Sequence, residues 1–422
     1  MNDILDELEW RGLIAQSTDR DAIRDALAAG PVTYYCGFDP TAPSLHHGHL
    51  VQLVLLRHLQ RAGHRAIALV GGATGLIGDP RMSGERTLND REVVVGWTDR
   101  LHDQISRFLD FEGENPARMV NNLEWTAELS TLDFLREVGK HYRLGTMLAK
   151  DTVARRLNSD EGISFTEFSY QILQGMDFLE LARRYDCSLQ TGGNDQWGNL
   201  LSGVELVRKS EGRTVHALTT PLITKADGTK FGKTEGGAVW LAPDMMSPYA
   251  FYQFWLNTDD ADAVRYLKVF TFRTREEIAE LEQAVAERPF AREAQRTLAQ
   301  DVTTLVHGAE ATDRVERASR ALFGRGELGD LDADTLRHAV AELPRAPLQV
   351  GTTTIVDLLV DSGLSAGRGA ARRTIGEGGA YLNNAKVTDE EYVVAADDVL
   401  AGQWVLLRRG KRVLAVAEVD PS

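Results

Sequence analysis

The stretch "PTAPSLHHGHL", residues 40–50, sets His46, His47 and His49 within four positions, just after an apolar run, "VTYYCGF", with the composition of a strand. Three chemistries compete for such a cluster. As metal ligands, His46 and His49 stand three apart and could share a helix face, but zinc takes its ligands from several Cys, His or carboxylate groups. No Cys pair and no His-Glu-x-x-His accompanies them. As phosphate ligands they would open a helix, where unpaired backbone N–H groups and the helix dipole favour an anion. As surface or packing histidines they would need no chemistry at all. A second candidate lies far downstream: "KFGKT", residues 230–234, spaces Lys230 and Lys233 three apart in a stretch that also holds Gly228, Gly232, Gly236 and Gly237. Two ammonium groups on a glycine-rich loop suit a polyphosphate, although a solvated lysine pair would read the same way.

These residues need elements to position them. Residues 32–38 and 66–72 read as apolar strands around "HLVQLVLLRHLQRAGH", whose apolar residues recur at helical spacing, so the three form a βαβ unit. Near-continuous apolar strands imply a parallel sheet buried on both faces, and ligands of such sheets bind at the strands' carboxyl ends. The strand tails, "CGFDPTAPSL" and "GGATGLIGDP", are loop-forming, and similar junctions recur at "CSLQTGGNDQWGN" and "HALTTPLITKADGTKFGKTEGG". Tyr170, Gln174 and Asp177, spaced four and three apart in "SYQILQGMDF", share one helical face. That polar stripe fits a pocket, and equally an ordinary amphipathic helix.

Composition sets the limits. The 422 residues are enough for two or three domains. A net charge of -15, from 47 basic and 62 acidic residues, argues against nucleic-acid binding by the whole surface but leaves room for basic patches. From residue 348 onward eight basic residues face ten acidic ones, so the end of the chain is relatively basic. No apolar run approaches the roughly 20 residues of a membrane span, and the charged N-terminus lacks a signal peptide's pattern, so a cytoplasmic protein is expected. Cys36 and Cys187 are too few for a disulfide framework.

Taken together, "YYCGFDPTAPSLHHGHL", "GGATGLIGDP", "GISFTEFSYQILQGMDF", "GGNDQWGN" and "ADGTKFGKT" are long and collinear, and in them the chain closely resembles the bacterial tyrosyl-tRNA synthetases of class I. The resemblance implies an α/β Rossmann-type catalytic domain over 1–235 with a helical dimerisation insertion at about 120–165. It further implies an all-α anticodon-binding domain over 236–323 and an α+β S4-like RNA-binding domain over 351–422; between them residues 324–350, which mix glycine, proline and acidic residues, read as a linker with one short helix. The implied reaction joins tyrosine to ATP, taken with Mg2+, as tyrosyl-adenylate and then passes tyrosine to its tRNA; a homodimer is expected, and no tightly bound protein metal. Positioning and charge stabilisation would carry such a reaction, in keeping with the lack of a convincing Ser or Cys nucleophile.

By the same resemblance Tyr35 and Asp177 face the substrate's phenol, while Asp79, Tyr170 and Gln174 hold its amino group, with Asn122 and Gln196 nearby. Gly37, Asp39, Gly48, Gly193 and Asp195 surround adenosine, and Cys36 is either a weak ribose contact or a small buried residue. Thr41, His46 and His49 match the groups that hold the β- and γ-phosphates; Lys230, Lys233, Thr234 and Arg86 clamp pyrophosphate. Arg368, Arg372, Arg373, Arg408, Arg409, Lys411 and Arg412 are candidates for tRNA phosphates, and Arg155, Arg156, Arg208 and Lys209 for the acceptor end. Departures from the family pattern are His47, where relatives carry an aliphatic residue, and "RMSGER" with Arg81 where they carry lysine. Competing readings are a tryptophanyl relative and an RNA-binding protein on an inactive synthetase scaffold.

Overall fold

The computed structural model describes residues 3–81, 84, 88–229, 231–234, 237–323, 326–341, 343–410 and 413–420. Arg86, Lys230, Lys411 and Arg412 fall outside them, and Lys233 and Thr234 are described as backbone only. Two compact units result: residues 1–246 with 257–302, and residues 247–256 with 303–422.

In the first unit, six strands among the described residues form one sheet: β1 Gln16–Ser17, β2 Thr33–Phe38, β3 Arg65–Val70, β4 Arg118–Asn121, β5 Cys187–Gly193 and β6 His216–Thr220. Their spatial order is β1-β6-β5-β2-β3-β4, and all neighbours run parallel except the β1–β6 pair. The chain winds outward from β2 through β3 to β4, then returns to β5 on the other side. Neighbouring β2 and β5 therefore flank the switch point, where the connections leave in opposite directions and open a crevice above the carboxyl ends. Strands β2 and β3 are buried along almost their whole length, as a sheet covered on both faces requires.

Three helices matter to the crevice: α1 His47–Arg61, α2 Phe165–Tyr185 and α3 Trp197–Glu211. The first links β2 to β3 and buries Leu50, Leu53, Val54 and Leu56. The second starts at Ser164, whose hydroxyl accepts the Glu167 N–H, and ends at Asp186 in the left-handed region. Its inner face joins Tyr35, Ile67, Leu69, Val120 and Trp125 in one core with Phe168, Ile172, Met176 and Phe178.

The segment between β4 and α2 is a series of short helices held by a buried ion pair. Arg156, 2 % exposed, pairs with Glu167 at 2.8 Å. Its other N–H groups donate to the carbonyls of Gly162, Arg81 and Gly84. Arg156 is therefore a buried clamp on the loop after β3 and cannot also guide an RNA end; two of its partners are carbonyls remote in sequence, which the local sequence does not reveal. Of the other cations named for the acceptor end, Arg208 and Lys209 are paired with Glu205 on their own helix.

In the second unit the strands are β9 Arg345–Leu348, β10 Ala380–Leu382, β11 Ala385–Lys386, β12 Trp404–Arg409 and β13 Val413–Val419, after the short pair β7 Lys233–Thr234 and β8 Gly237–Ala238 of the first unit. Their order is β11-β10-β12-β13-β9. The period of two is explicit: Val405, Leu407, Ala415 and Ala417 face the helices Ile355–Asp361 and Arg368–Gly376. Trp404, Leu406, Leu414 and Val416 face Ala309–Leu322 and Ala333–Val340. The stretch read as a linker with one short helix holds that helix, Ala333–Val340, and in addition a strand. Arg345–Leu348 pairs parallel with β13 as an edge strand, a place where Pro347, lacking an N–H, is tolerated.

Replacing Arg156 by alanine strands the Glu167 carboxylate and three carbonyls in the interior. Chemical denaturation should register a loss of about 3–5 kcal/mol, partly recovered when Arg156→Met is combined with Glu167→Gln.

Candidate active site

The site grows from the switch point. Strand β2 ends at Gly37 and Phe38 with Asp39 just beyond it, and β5 ends at Gly193, which a short turn over Asn194–Gln196 joins to α3. The buried strand β2 carries Tyr35, 1 % exposed, and its register neighbour on β5 is Gln190, so both side chains stand on one face of the sheet. Among the described residues the Tyr35 hydroxyl, the Gln174 Oε1 and the Gln190 Oε1 are buried without a hydrogen-bond partner. Orphaned polar atoms of this kind cost about 1–3 kcal/mol each and mark a place where a polar ligand group fits.

Next to Tyr35 lies the Asp177 carboxyl, 3 % exposed, which accepts from Trp125 Nε1 at 2.9 Å and Asn122 Nδ2 at 3.0 Å. Burial pushes it up to about 8 despite these two bonds, which favour the charged form. Burial, with the nearby Asp177 carboxylate adding, holds the Tyr35 phenol well above its ordinary range.

From Asp177 a hydrogen-bonded chain runs along the strand ends. The Asn122 amide also donates to Thr74 Oγ1 at 2.9 Å, while its oxygen accepts the Ala73 N–H at 2.7 Å. The Thr74 hydroxyl donates to Asp39 Oδ1 at 2.7 Å, and the Tyr170 hydroxyl donates to Asp39 Oδ2 at 2.7 Å. Tyr170 is therefore joined to Asp39, whereas the sequence grouped it with Asp79. The Asp79 carboxylate instead accepts from Gln196 and Asn199, both at 3.0 Å. Beside it Lys150 donates to the carbonyl of Gly198 at 2.7 Å, and burial pushes its ammonium down to about 8.

The histidines lie at the start of α1. His46 is the N-cap: its Nδ1 accepts the Gly48 N–H at 3.0 Å, and its own N–H donates to His49 Nδ1 at 3.2 Å. The two rings stack with centroids 4.0 Å apart. Because each Nδ1 is an acceptor, each neutral ring carries its proton on Nε2. Burial, with His46 and His47 adding, drives His49 well below its ordinary range and keeps it neutral. A Cβ at Gly48 would lie 2.9 Å from the His46 ring, so the glycine makes room for that imidazole. Among the described residues no group of three or more His, Cys, Asp or Glu side chains is placed to hold a metal ion.

The His47 ring lies 5.3 Å from that of His46 and takes no part in the cap. It meets Phe231 edge-on at 5.2 Å, and the His47 backbone N–H donates to Val239 O at 2.9 Å. The sequence-predicted residues Tyr35, Gly37, Asp39, Thr41, His46, His49, Asp79, Asn122, Tyr170, Gln174, Asp177, Gly193, Asp195 and Gln196 thus lie at or near the carboxyl ends of the sheet and the helices that cover it. Cys36 is buried among them, its thiol pushed up to about 12 by desolvation, which suits a small core residue.

Sequence reasoning missed Thr74, Trp125, Lys150, Gln190 and Asn199. Signals existed for three of them. Trp125 follows Asn122 by three residues in one helical turn, Asn199 follows Gln196 by three, and Thr74 sits inside "GGATG". Lys150 and Gln190 carried none.

In the second unit, Arg368, Arg372 and Arg373 are exposed on one helix and lie near Asp357, Glu390 and Glu391. Arg408 is not a surface cation: it is 9 % exposed, stacks 3.8 Å over the Tyr381 ring and donates to Gly410 O. Arg409 donates to the carbonyl of Leu364.

Comparison with known proteins agrees with this geometry. Residues 27–324 match the family model "tRNA synthetases class I (W and Y)", and residues 335–416 match "Tyrosine--tRNA ligase SYY-like C-terminal domain". The chain is 62% identical over 420 residues to a tyrosine–tRNA ligase of Streptomyces coelicolor, covering 99% of each protein. It is also 62% identical over 423 residues to that of Streptomyces griseus, covering 100% of each. Among solved structures, a C-terminally truncated mitochondrial tyrosyl-tRNA synthetase of Aspergillus nidulans superposes with a TM-score of 0.69 at 32% identity, over 76% of this chain and 95% of that one. The chain belongs to the class I tRNA synthetases, in their tyrosine–tRNA ligase branch.

Proposed function

We propose that the protein activates tyrosine with ATP and transfers the tyrosyl group to tRNA, and that the residues around the switch point do so in the roles below. The observation that carries the substrate is the buried, unpartnered Tyr35 hydroxyl beside the Asp177 carboxyl. A phenol placed there supplies one donor and one acceptor. A phenylalanine ring leaves the buried Tyr35 hydroxyl unsatisfied and offers nothing to Asp177, which costs about 1–3 kcal/mol for the unpaired hydroxyl.

Asp39, Tyr170, Gln174 and Asp79 line the way out of the phenol pocket and hold the substrate's ammonium group. ATP enters as its magnesium complex with its phosphates at the N-terminus of α1, where the helix dipole and the Nε2–H of His46 and His49 favour them. Gly37, Gly193 and Asp195 border the adenosine, and Thr41 stands with the phosphates. The tyrosine carboxylate attacks the α-phosphorus, the bond to the β-phosphate oxygen breaks, and pyrophosphate leaves with the electron pair. Lys230, Lys233, Thr234 and Arg86 are assigned to the charge that accumulates on pyrophosphate. The neutral histidines fit this task because they donate hydrogen bonds without adding a buried charge. The cytoplasm is the place of such a reaction.

The segment at 120–165 is assigned to a homodimer interface. Leu132, Leu144 and Phe165 are 71%, 66% and 74% exposed, with Leu135 and Leu157 also uncovered. Apolar side chains concentrated in one segment in this way mark a surface meant to be covered. Helices between 236 and 323 are assigned to the anticodon, and the second unit's Arg368, Arg372, Arg373 and Arg409 to tRNA phosphates, with Lys411 and Arg412 beside them in sequence.

Amino-acid-dependent exchange of labelled pyrophosphate into ATP should proceed with tyrosine and not with tryptophan or phenylalanine. Tyr35→Phe should lower kcat/KM for tyrosine roughly 10-fold. Titrating Asp177 adds a second readout. Its folded value of about 8 lies above the unfolded one, so the empty pocket holds the proton at pH 7 and the group costs stability as pH rises toward 8. A phenol donating to the carboxylate favours ionisation, so calorimetry at pH 7 should detect proton release on tyrosine binding, and none in Asp177→Asn.

Leu144→Asp with Phe165→Asp should halve the mass seen by light scattering; an unchanged mass removes the interface assignment. Arg372→Gln with Arg373→Gln should leave exchange intact while raising KM for tRNA and flattening its salt dependence. Unchanged charging at low tRNA would place the RNA elsewhere.

A further inference from the structure

His47 stands between His46 and His49 in sequence, and its ring lies 5.3 Å from the His46 ring while also reaching the second signature. Its ring meets Phe231 at 5.2 Å with planes 88° apart, an edge-to-face contact. Phe231, 3 % exposed, is also packed on Tyr266 at 4.6 Å and on Phe270 at 6.1 Å. The next residue, Gly232, has φ +77°, and a Cβ built there would fall 2.0 Å from His47 Cε1 and 2.3 Å from Nε2. The chain therefore passes directly over the imidazole, and only glycine fits both the backbone conformation and the gap.

The flanks of the loop are fixed independently. On one side the Tyr266 hydroxyl donates to Thr224 O at 3.0 Å, and residues 225–229 close a turn in which Asp227 accepts from the Thr229 N–H and hydroxyl. On the other, His47 N–H donates to Val239 O and Leu241 N–H to Leu45 O, both at 2.9 Å, with a bridge between His46 and Trp240. Between these anchors the His47 ring lies against residues 231 and 232.

We propose that His47 is a positioning residue for tyrosine activation: its imidazole is the seat for Phe231 and Gly232, and so sets the register of the chain that carries Lys230 and Lys233 relative to His46 and His49. Lys230 precedes this pair in sequence and Lys233 follows it. An aliphatic side chain at position 47 fills volume but offers no flat edge to the phenyl face and no thin profile for the Gly232 backbone to cross. The inference rests on the reading that these lysines act on pyrophosphate.

The test is a double-mutant cycle of His47→Ala and Phe231→Ala, read as kcat of pyrophosphate exchange at saturating tyrosine and ATP, with His47→Phe as the ring-retaining variant and thermal melting to confirm folding. Each alanine variant should lower kcat about 10- to 100-fold, the range expected when a reacting group is misplaced by about an ångström. KM for tyrosine should stay within about twofold, because the seat does not touch the amino-acid pocket. The double variant should be no slower than the slower single one, and His47→Phe should recover most of the rate. Multiplicative losses, an equal loss of tyrosine affinity, or a His47→Phe enzyme as slow as the alanine variant would overturn the proposal. Lys233→Ala separates the two levels. If it keeps full exchange, the lysine reading fails and the seat with it; if it is inactive while the cycle is multiplicative, the seat alone fails.

Discussion

A single buried carboxyl group, that of Asp177, constrains most of what surrounds it. It sits on α2 beneath the strand ends and draws Asn122 and Trp125 from the far side of β4 onto its two oxygens. Through Asn122 the same chain of bonds reaches Thr74 after β3 and Asp39 after β2. Loops that are remote in sequence are thereby held to one another by polar bonds within an apolar shell, where a missing partner is costly. The shell that makes the network rigid also raises the Asp177 carboxyl to about 8. Pocket geometry and proton affinity thus have one cause.

Charge is distributed by depth. The groups nearest the sheet are acids and neutral rings: Asp39, Asp79, Asp177, and histidines whose Nδ1 atoms are occupied by backbone N–H groups. The cations named for pyrophosphate lie in sequence on the glycine-rich stretches after β3 and β6. An interior cation without a partner is expensive, so the one fully buried arginine in this region, Arg156, has its guanidinium bonds taken by Glu167 and backbone carbonyls. That arrangement also explains how a chain of net charge -15 handles polyanions: attraction is local and the global field is not needed.

Much of this was legible in advance, for identifiable reasons. The βαβ unit was visible because buried parallel strands leave near-continuous apolar runs, and the site because loop-forming residues follow each strand. Arg156 and Arg408 were misjudged because burial of an arginine leaves no mark in its neighbours: one is satisfied by carbonyls about 70 residues away, the other by the Tyr381 ring. Residues 345–348 read as linker because proline and acidic neighbours dominate them, yet an edge strand accepts proline where a central one does not.

The sequence by itself determined the parallel-sheet class, the family, and the candidate residues for its chemistry, since residue type and spacing within one loop or helix turn are local properties. Only the tertiary structure decided which acid partners which hydroxyl, how the histidine rings are protonated, and that His47 faces Phe231 and Gly232. Those outcomes depend on distances between segments up to some 185 residues apart, and such distances are fixed by packing and by the satisfaction of buried polar groups, to which no short stretch of sequence has access.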